Sequence, residues 1–204
     1  MRMAITGGIG SGKSYLCRML LARGIAVYDC DDAAKRLMCS SAAIRRQLIS
    51  LIGDDAYRND EGTTSGQDAS PTPSWHLNKG AVAKFLLASE ANKRAINGVV
   101  HPAVADDFLN SGTEWMECAL LFESGFNRLV DKVVAVSAPY ELRLKRVVQR
   151  DGISAEKAAQ WINRQMAQEE VVRRADYVIV NDGVRDVGSQ LDKILEEIRD
   201  RQKH

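Results

Sequence analysis

The chain has 204 residues, 45% of them hydrophobic, enough for one domain with an appended subdomain around a real core. Its 28 Lys and Arg stand against 27 Asp and Glu, a balance that argues against a dedicated nucleic-acid binder, which carries a marked basic excess. Cys17, Cys30, Cys39 and Cys118 form no C-x-x-C pair, so neither a zinc knuckle nor a thioredoxin-type dithiol is indicated, and reduced thiols in a cytoplasmic protein are expected.

In chain order, Met3-Ala4-Ile5-Thr6 is a short apolar run suited to a buried parallel strand, and 15–22 has helical periodicity. Between them, Gly7-Gly8-Ile9-Gly10-Ser11-Gly12-Lys13-Ser14 fits G-x-x-x-x-G-K-[ST] at every fixed position. A strand, a glycine-rich turn and a helix are the context this phosphate-cradling motif needs. The glycines let the backbone bend so that its N–H groups face an anion, and the helix N-terminus adds the positive end of its dipole. Lys13 is then placed to reach the β- and γ-phosphates, and the Ser14 hydroxyl to ligate Mg²⁺. A nucleoside triphosphate site is expected. A strand entered at the third residue leaves no room for a signal peptide. No apolar stretch approaches the ~18 residues a bilayer span needs, so the expectation is a soluble, cytoplasmic chain.

Gly24 stops the first helix, and Ile25-Ala26-Val27-Tyr28 reads as a second strand running into Asp29-Cys30-Asp31-Asp32. One of these carboxylates can cap the helix patterned at 33–38; three exceed what a cap needs, which makes at least one a candidate for catalysis on the strand-end rim where α/β sheets bind ligands. Residues 42–52 read as an amphipathic helix ended by Gly53. The polar stretch 54–74, with Pro71 and Pro73, reads as a surface loop of low order. Helical patterning returns at 81–87 and 91–109, where His101-Pro102 should start a new helix or kink this one. With no strand signal from 32 to 110, this block reads as a helical insertion, a natural place for an acceptor substrate.

Met116-Glu117-Cys118-Ala119-Leu120-Leu121-Phe122 reads as the third strand, closed by Glu123, which either touches Mg²⁺ through water or braces the rim. Lys132–Ser137 reads as the fourth strand and Tyr177–Val180 as the fifth, so strands alternating with helices imply a parallel sheet with right-handed crossovers. Pro139 opens a helix carrying Arg143, Lys145, Arg146 and Arg150 with no acid from 142 to 150. Spacings of three and four put Arg143, Arg146 and Arg150 on one face. Asp151-Gly152 breaks the chain, and Ser154 caps a second helix that includes Arg164 and Gln165. A solvated basic face is one reading of this pair; a hinged lid that brings arginines onto transferring phosphate is the favoured one. Asn181-Asp182-Gly183 is a turn, and 184–201 a closing amphipathic helix.

Taken together, these residues resemble the dephospho-CoA kinase family nearly end to end. The likeness rests on Thr6 through Ser14, on Asp29-Cys30-Asp31 followed by Ala34-Lys35-Arg36, and on His101-Pro102. It continues through Leu120-Leu121-Phe122-Glu123, Arg146, Arg150-Asp151, Arg164-Gln165, and Ala175-Asp176 leading to Asn181. The resemblance implies an α/β P-loop kinase fold, a five-stranded parallel sheet flanked by helices. It implies one domain with a core of 1–31, 111–141 and 168–204, a helical substrate-binding insertion at 32–110 and a helical lid at 142–167. The implied reaction is ATP plus 3′-dephospho-CoA giving ADP plus CoA, with Mg²⁺. By position, Lys13, Asp31 and Arg146 are the catalytic candidates, Asp31 as the carboxylate and Arg146 at the base of the lid. Gly8, Ile9, Gly10, Ser11, Gly12, Lys13, Ser14 and Tyr15 would hold the nucleotide phosphates, with Asn181 near the adenine. Asp31, His101 and Arg150 would contact the acceptor, and Ser14 the metal. Implied partners are small-molecule dephospho-CoA, no nucleic acid and no membrane, for a monomer or weak homo-oligomer.

Three features depart from the family pattern: Tyr15 where Thr often follows the P-loop Ser, Asn78-Lys79 where an acid-Arg pair is common, and a long 62–74 loop. A nucleoside or nucleotide kinase of the same fold is the alternative. A GTP switch lacks its guanine-reading signature, since Asn78-Lys79-Gly80-Ala81 has no acid.

Overall fold

The structure is a computed structural model that describes residues 1–60 and 74–202. Most of the stretch expected as a polar loop, residues 61–73, lies outside the described residues. The chain divides into two compact units, one of residues 1–30 with 111–204 and the other of residues 31–110.

The first unit holds a five-stranded parallel sheet built from β1 (Met3–Thr6), β2 (Val27–Asp29), β5 (Trp115–Glu117), β6 (Lys132–Ser137) and β7 (Tyr177–Val180), in the order β2-β5-β1-β6-β7. Its helices are α1 (Lys13–Ala22), α6 (Tyr140–Asp151), α7 (Ala155–Asn163), α8 (Gln168–Arg174) and α9 (Val187–Gln202). All four residues of β1 are buried, which is why it reads as a continuous apolar run and not an alternating one. Leu16 and Leu20, one turn apart on α1, pack with Met3, Ile5, Val134 and Ile179 of the sheet and with Leu191, Ile194, Leu195 and Ile198 of α9. Each such fully buried aliphatic side chain contributes about 1.5–3 kcal/mol over its exposed state.

β6 and β7 span the expected residues. β5 does not: it ends at Glu117, so Glu123 closes no strand. The Cys118 N–H still bonds the Ile5 carbonyl at 3.0 Å, but the chain then turns. The Ser124 N–H reaches the Leu120 carbonyl at 2.9 Å, and Gly125 takes a φ of 78°. Leu121 is fully buried by that turn, and Leu120 is left 41% exposed. An apolar run is equally consistent with a strand and with a buried turn, and here the turn wins. β2 starts two residues later than expected, because the Ile25 N–H is still engaged at the end of α1 by the Leu20 carbonyl, 3.0 Å away. α7 ends at Asn163, leaving Arg164 as its C-cap and Gln165 beyond it.

The second unit contains α2 (Cys30–Ser40, whose first residue belongs to the sheet unit), α3 (Ala42–Ile52), α4 (Lys79–Ala88) and α5 (Glu90–Asn110). Ser41 caps α3 by accepting the Ile44 N–H, and Asn78 caps α4 by accepting the Ala81 N–H. The block is not all helical. β3 (Tyr57–Asp60) pairs antiparallel with β4 (Ser74–Leu77), with Tyr57 opposite Leu77 and Asn59 opposite Trp75. The strands are four residues each and separated by a polar stretch, so neither carries a strand signal alone; the cross-strand partner supplies it. The Tyr57 hydroxyl donates to the Met38 carbonyl at 2.6 Å, tying this ribbon to α2. Pro102 lies inside α5 and starts no new helix. The residue one turn before it is Gly98, which brings no side chain to the crowded turn. Among the described residues no helix is long and apolar enough to cross a membrane.

Candidate active site

The phosphate loop connects β1 to α1. Gly12 ends it with a φ of 105°, in the left-handed region that glycine alone enters freely. As the residue before α1 it offers no side-chain cap, and no acid stands in the first turn. The Lys13 and Ser14 N–H groups, at the helix start that leaves such donors without internal partners, are therefore available to an anion, while the Tyr15 N–H already bonds the Gly12 carbonyl at 3.0 Å. Ser14 and Tyr15 are exposed at this helix start, while Ser11 is fully buried, with a hydroxyl that has no hydrogen-bond partner.

Lys13 reaches towards the end of β5, where its Nζ lies 3.6 Å from Glu117 Oε1; both side chains are only 12% exposed. Glu117 is in register with Ile5 of β1 on one side and Asp29 of β2 on the other. Parallel pairing thus sets two carboxylates side by side at the strand ends, with Glu117 beside the lysine. Cys17, one turn along α1 from Lys13, registers their field. Burial first, then Glu117 and Asp29, push its thiol up to about 12, and Lys13 only partly counters them.

The loop is gripped on its other side by α6 and by the end of β7. The Arg146 guanidinium donates to the carbonyls of Gly10 at 3.3 Å and Ser11 at 3.4 Å, and to Asn181 through its carbonyl at 3.3 Å and Oδ1 at 3.2 Å. Asn181 is buried, with its own N–H donated to the Ser137 carbonyl at 2.7 Å and its Nδ2 to the Ser11 carbonyl at 2.8 Å. Arg143 Nε donates to the Ile9 carbonyl at 3.0 Å, and Gln165 Oε1 accepts the Ile9 N–H at 2.7 Å. Burial lowers the Arg143 pKa from its ordinary value.

Lys13, Arg146 and Asn181 are therefore gathered on residues 8–14, as a nucleotide site requires. Arg150, on the same helix, is exposed and turned to its neighbour Asp151 in a two-pronged pair at 2.9 and 2.7 Å. Glu123 Oε1 accepts the Met166 N–H at 3.1 Å, a brace on the segment after α7. Asp31 and His101 belong to the other unit. Asp31 is exposed in the first turn of α2, next to Asp32, which pairs with Lys35 at 2.9 Å. His101, within α5, has its pKa lowered by burial. Sequence reasoning missed Glu117, whose only signal is an acid interrupting an apolar run, and it read Arg143 as part of a lid face. Among the described residues no group of three or more His, Cys, Asp or Glu could hold a metal ion. Mg²⁺ suits such a site, since it keeps several waters and takes one or two protein ligands plus substrate phosphates.

The family model described as dephospho-CoA kinase matches residues 1–186. A dephospho-CoA kinase of Bacteroides fragilis is 35% identical over 202 residues, covering 96% of this chain and 91% of its own. That of Porphyromonas gingivalis is 36% identical over 204 residues, covering 97% and 94%. Among solved structures, a Thermus thermophilus protein superposes with a TM-score of 0.76 at 28% identity, covering 97% of each chain. The dephospho-CoA kinase of Campylobacter jejuni, at 22% identity and a TM-score of 0.62 over 97% of this chain and 96% of its own, shares the fold. A shikimate kinase from Acinetobacter baumannii, at 17% identity and a TM-score of 0.54 over 98% and 93%, shows the same P-loop kinase fold. The phosphate loop with Lys13 at its end, the sheet order around it and a match of this length agree: the chain belongs to the dephospho-CoA kinase family.

Proposed function

We propose that residues 8–15 hold the triphosphate of ATP at the start of α1, that Asn181 lies near the adenine, and that Asp31 acts on the acceptor. As a member of its family the chain is a kinase, which phosphorylates the ribose 3′-hydroxyl of dephospho-CoA with ATP to give CoA and ADP, the last step of coenzyme A synthesis. The observation that carries the site reading is the uncapped, glycine-preceded N-terminus of α1 with Lys13 in its first turn. Lys13 spreads positive charge over the transferring phosphoryl oxygens, and Arg146 adds to it at the base of a lid formed by 142–167. Ser14 would hold Mg²⁺ together with phosphate oxygens, and the ion would neutralise charge developing on them. Residues 32–110 would receive the acceptor, with His101 and Arg150 among its contacts. The chain works as a monomer or weak homo-oligomer in the cytoplasm.

The role of Asp31 follows from the acceptor. A ribose hydroxyl must lose its proton as its oxygen bonds to phosphorus, while the bond to ADP breaks. A carboxylate within reach orients that hydroxyl and takes the proton. A phosphate acceptor would need no such base. Asp31→Asn keeps size and one acceptor oxygen but removes the base, so turnover with dephospho-CoA should be abolished while both substrates still bind within about several-fold. A coupled ADP-release assay across dephospho-CoA, adenosine, AMP and pantetheine phosphate tests the whole reading. Turnover with AMP and none with dephospho-CoA would sink it. Residual activity in Asp31→Asn, with collapse in Asp29→Asn, would move the base two residues upstream.

A further inference from the structure

We propose that Arg143 is a positioning residue of the phosphate loop: by holding the Ile9 carbonyl outward, it aims the next amide, the Gly10 N–H, into the concavity that receives phosphate. The inference rests on reading residues 7–14 as a phosphate loop, and it assigns a residue outside the motif to building it.

The geometry starts from the peptide unit. Among the described residues none is cis, and in a planar trans unit the C=O and N–H point in opposite directions. Three successive carbonyls of the loop are held by side chains from outside it: Ile9 by Arg143 Nε at 3.0 Å, Gly10 by Arg146 at 3.3 Å, and Ser11 by Asn181 Nδ2 at 2.8 Å. Each capture turns the following N–H the other way. The Ser11 N–H closes a turn on the Gly8 carbonyl at 3.1 Å; for Gly10 and Gly12, planarity of the peptide unit turns the N–H away from the side chain that holds the carbonyl before it. Ile9 is the best-held residue of the set, because Gln165 accepts its N–H at 2.7 Å.

Arg143 is built for this position. It is 5% exposed. Gln168 Oε1 accepts from its guanidinium at 3.5 Å and from the Ala138 N–H at 3.1 Å, which fixes the fork against the end of β6. Its glycine neighbours fit it closely. A Cβ on Gly8 would fall on the guanidinium, and one on Gly10 would lie 2.6 Å from the Arg143 carbonyl. Gly8 and Gly10, both at variable positions of the motif, thus fit closely against Arg143 behind the loop, Gly8 against its side chain and Gly10 against its backbone. The hydrogen bonds Arg143 makes are to neutral oxygens, and the Glu169 carboxylate acts on its charge from nearby, so what it supplies to the loop is position.

The test is equilibrium binding of inorganic tripolyphosphate and of ATP to the full chain, with thermal unfolding of each variant alongside. Arg143→Met should weaken both ligands by about 10–100-fold, the effect of losing one hydrogen bond from a charged group. Arg143→Gln, whose amide can still donate to the Ile9 carbonyl, should recover at least half of that loss on a logarithmic scale. In turnover, KM for ATP should rise while KM for dephospho-CoA stays put. A folded Arg143→Met protein that binds tripolyphosphate as the wild type does would overturn the proposal. So would equal losses in both variants matched by equal falls in thermal midpoint, which would make Arg143 merely structural. Should Arg143→Met not fold, Arg143→Lys decides, since it keeps the charge without the fork. A severalfold loss of tripolyphosphate affinity then supports the role, and none overturns it. Failure of the wild type to bind either ligand would instead remove the phosphate-loop reading itself.

Discussion

Lys13 pairs with Glu117 and, in the proposed reaction, also meets phosphate, and separating the two gives a decisive experiment. At 3.6 Å from Glu117, with both side chains 12% exposed, the pair attracts by about 4–5 kcal/mol at an effective dielectric constant of about 20. Desolvation of both charges offsets much of this, so a net coupling of about 1–3 kcal/mol is expected. Lys13→Met leaves Glu117 and Asp29 facing each other without the cation. The unfolding free energy should fall by about that amount, and kcat should fall by orders of magnitude, because the charge on the transferring phosphoryl group loses its partner. Adding Glu117→Gln should restore most of the stability and none of the turnover. Urea unfolding gives the first quantity and ADP release the second. Strictly additive stability effects would refute the ion pair. Near-normal turnover in a folded Lys13→Met protein would refute the phosphate loop.

Two further outcomes follow from the same structure. Alkylation of the folded protein at pH 8 should modify exposed Cys39 first and spare Cys17, whose thiol at about 12 is only ~10⁻⁴ ionised there; equal labelling rates by mass spectrometry would contradict the burial and charge assigned to Cys17. His101, lowered by burial from its ordinary 6.5, binds a proton more readily in the unfolded chain, so stability should be full above about that pH and decline as pH falls through it, until the folded form also protonates. His101→Gln should flatten this decline in urea midpoints taken from pH 8 to 5, and an unchanged slope would assign it to other groups.

What could be read from sequence was local. The phosphate loop is a contiguous motif, α3 carries its own cap at Ser41 and its own stop at Gly53, and β6 and β7 are short β-branched runs with clear ends. What could not be read depends on partners far along the chain. Spacing puts Arg143, Arg146 and Arg150 on one side of α6, but it does not say that Arg143 is buried against Ile9, 134 residues away, while Arg150 faces solvent. Glu117 was hidden for a related reason. The apolar run around it continues to Phe122, and only pairing with β1 and β2 fixes where the strand ends and the rim begins. The ribbon of β3 and β4 likewise becomes visible only as a pair.

The strand order also governs how the protein can be made. β1 lies at the centre of the sheet, yet its two neighbours are encoded at Trp115–Glu117 and Lys132–Ser137. At a translation rate of about 5–20 residues per second, its hydrogen-bonding edges stay open for roughly 5–30 s after it is synthesised. An unpaired apolar strand is a template for intermolecular pairing. Residues 31–110, by contrast, form a contiguous compact unit that is complete before either neighbour of β1 exists. A ribosome stalling between residues 117 and 132 would release a chain with one edge of β1 still bare. The strand that leads into the phosphate loop is thus also the one most dependent on timely completion of the rest.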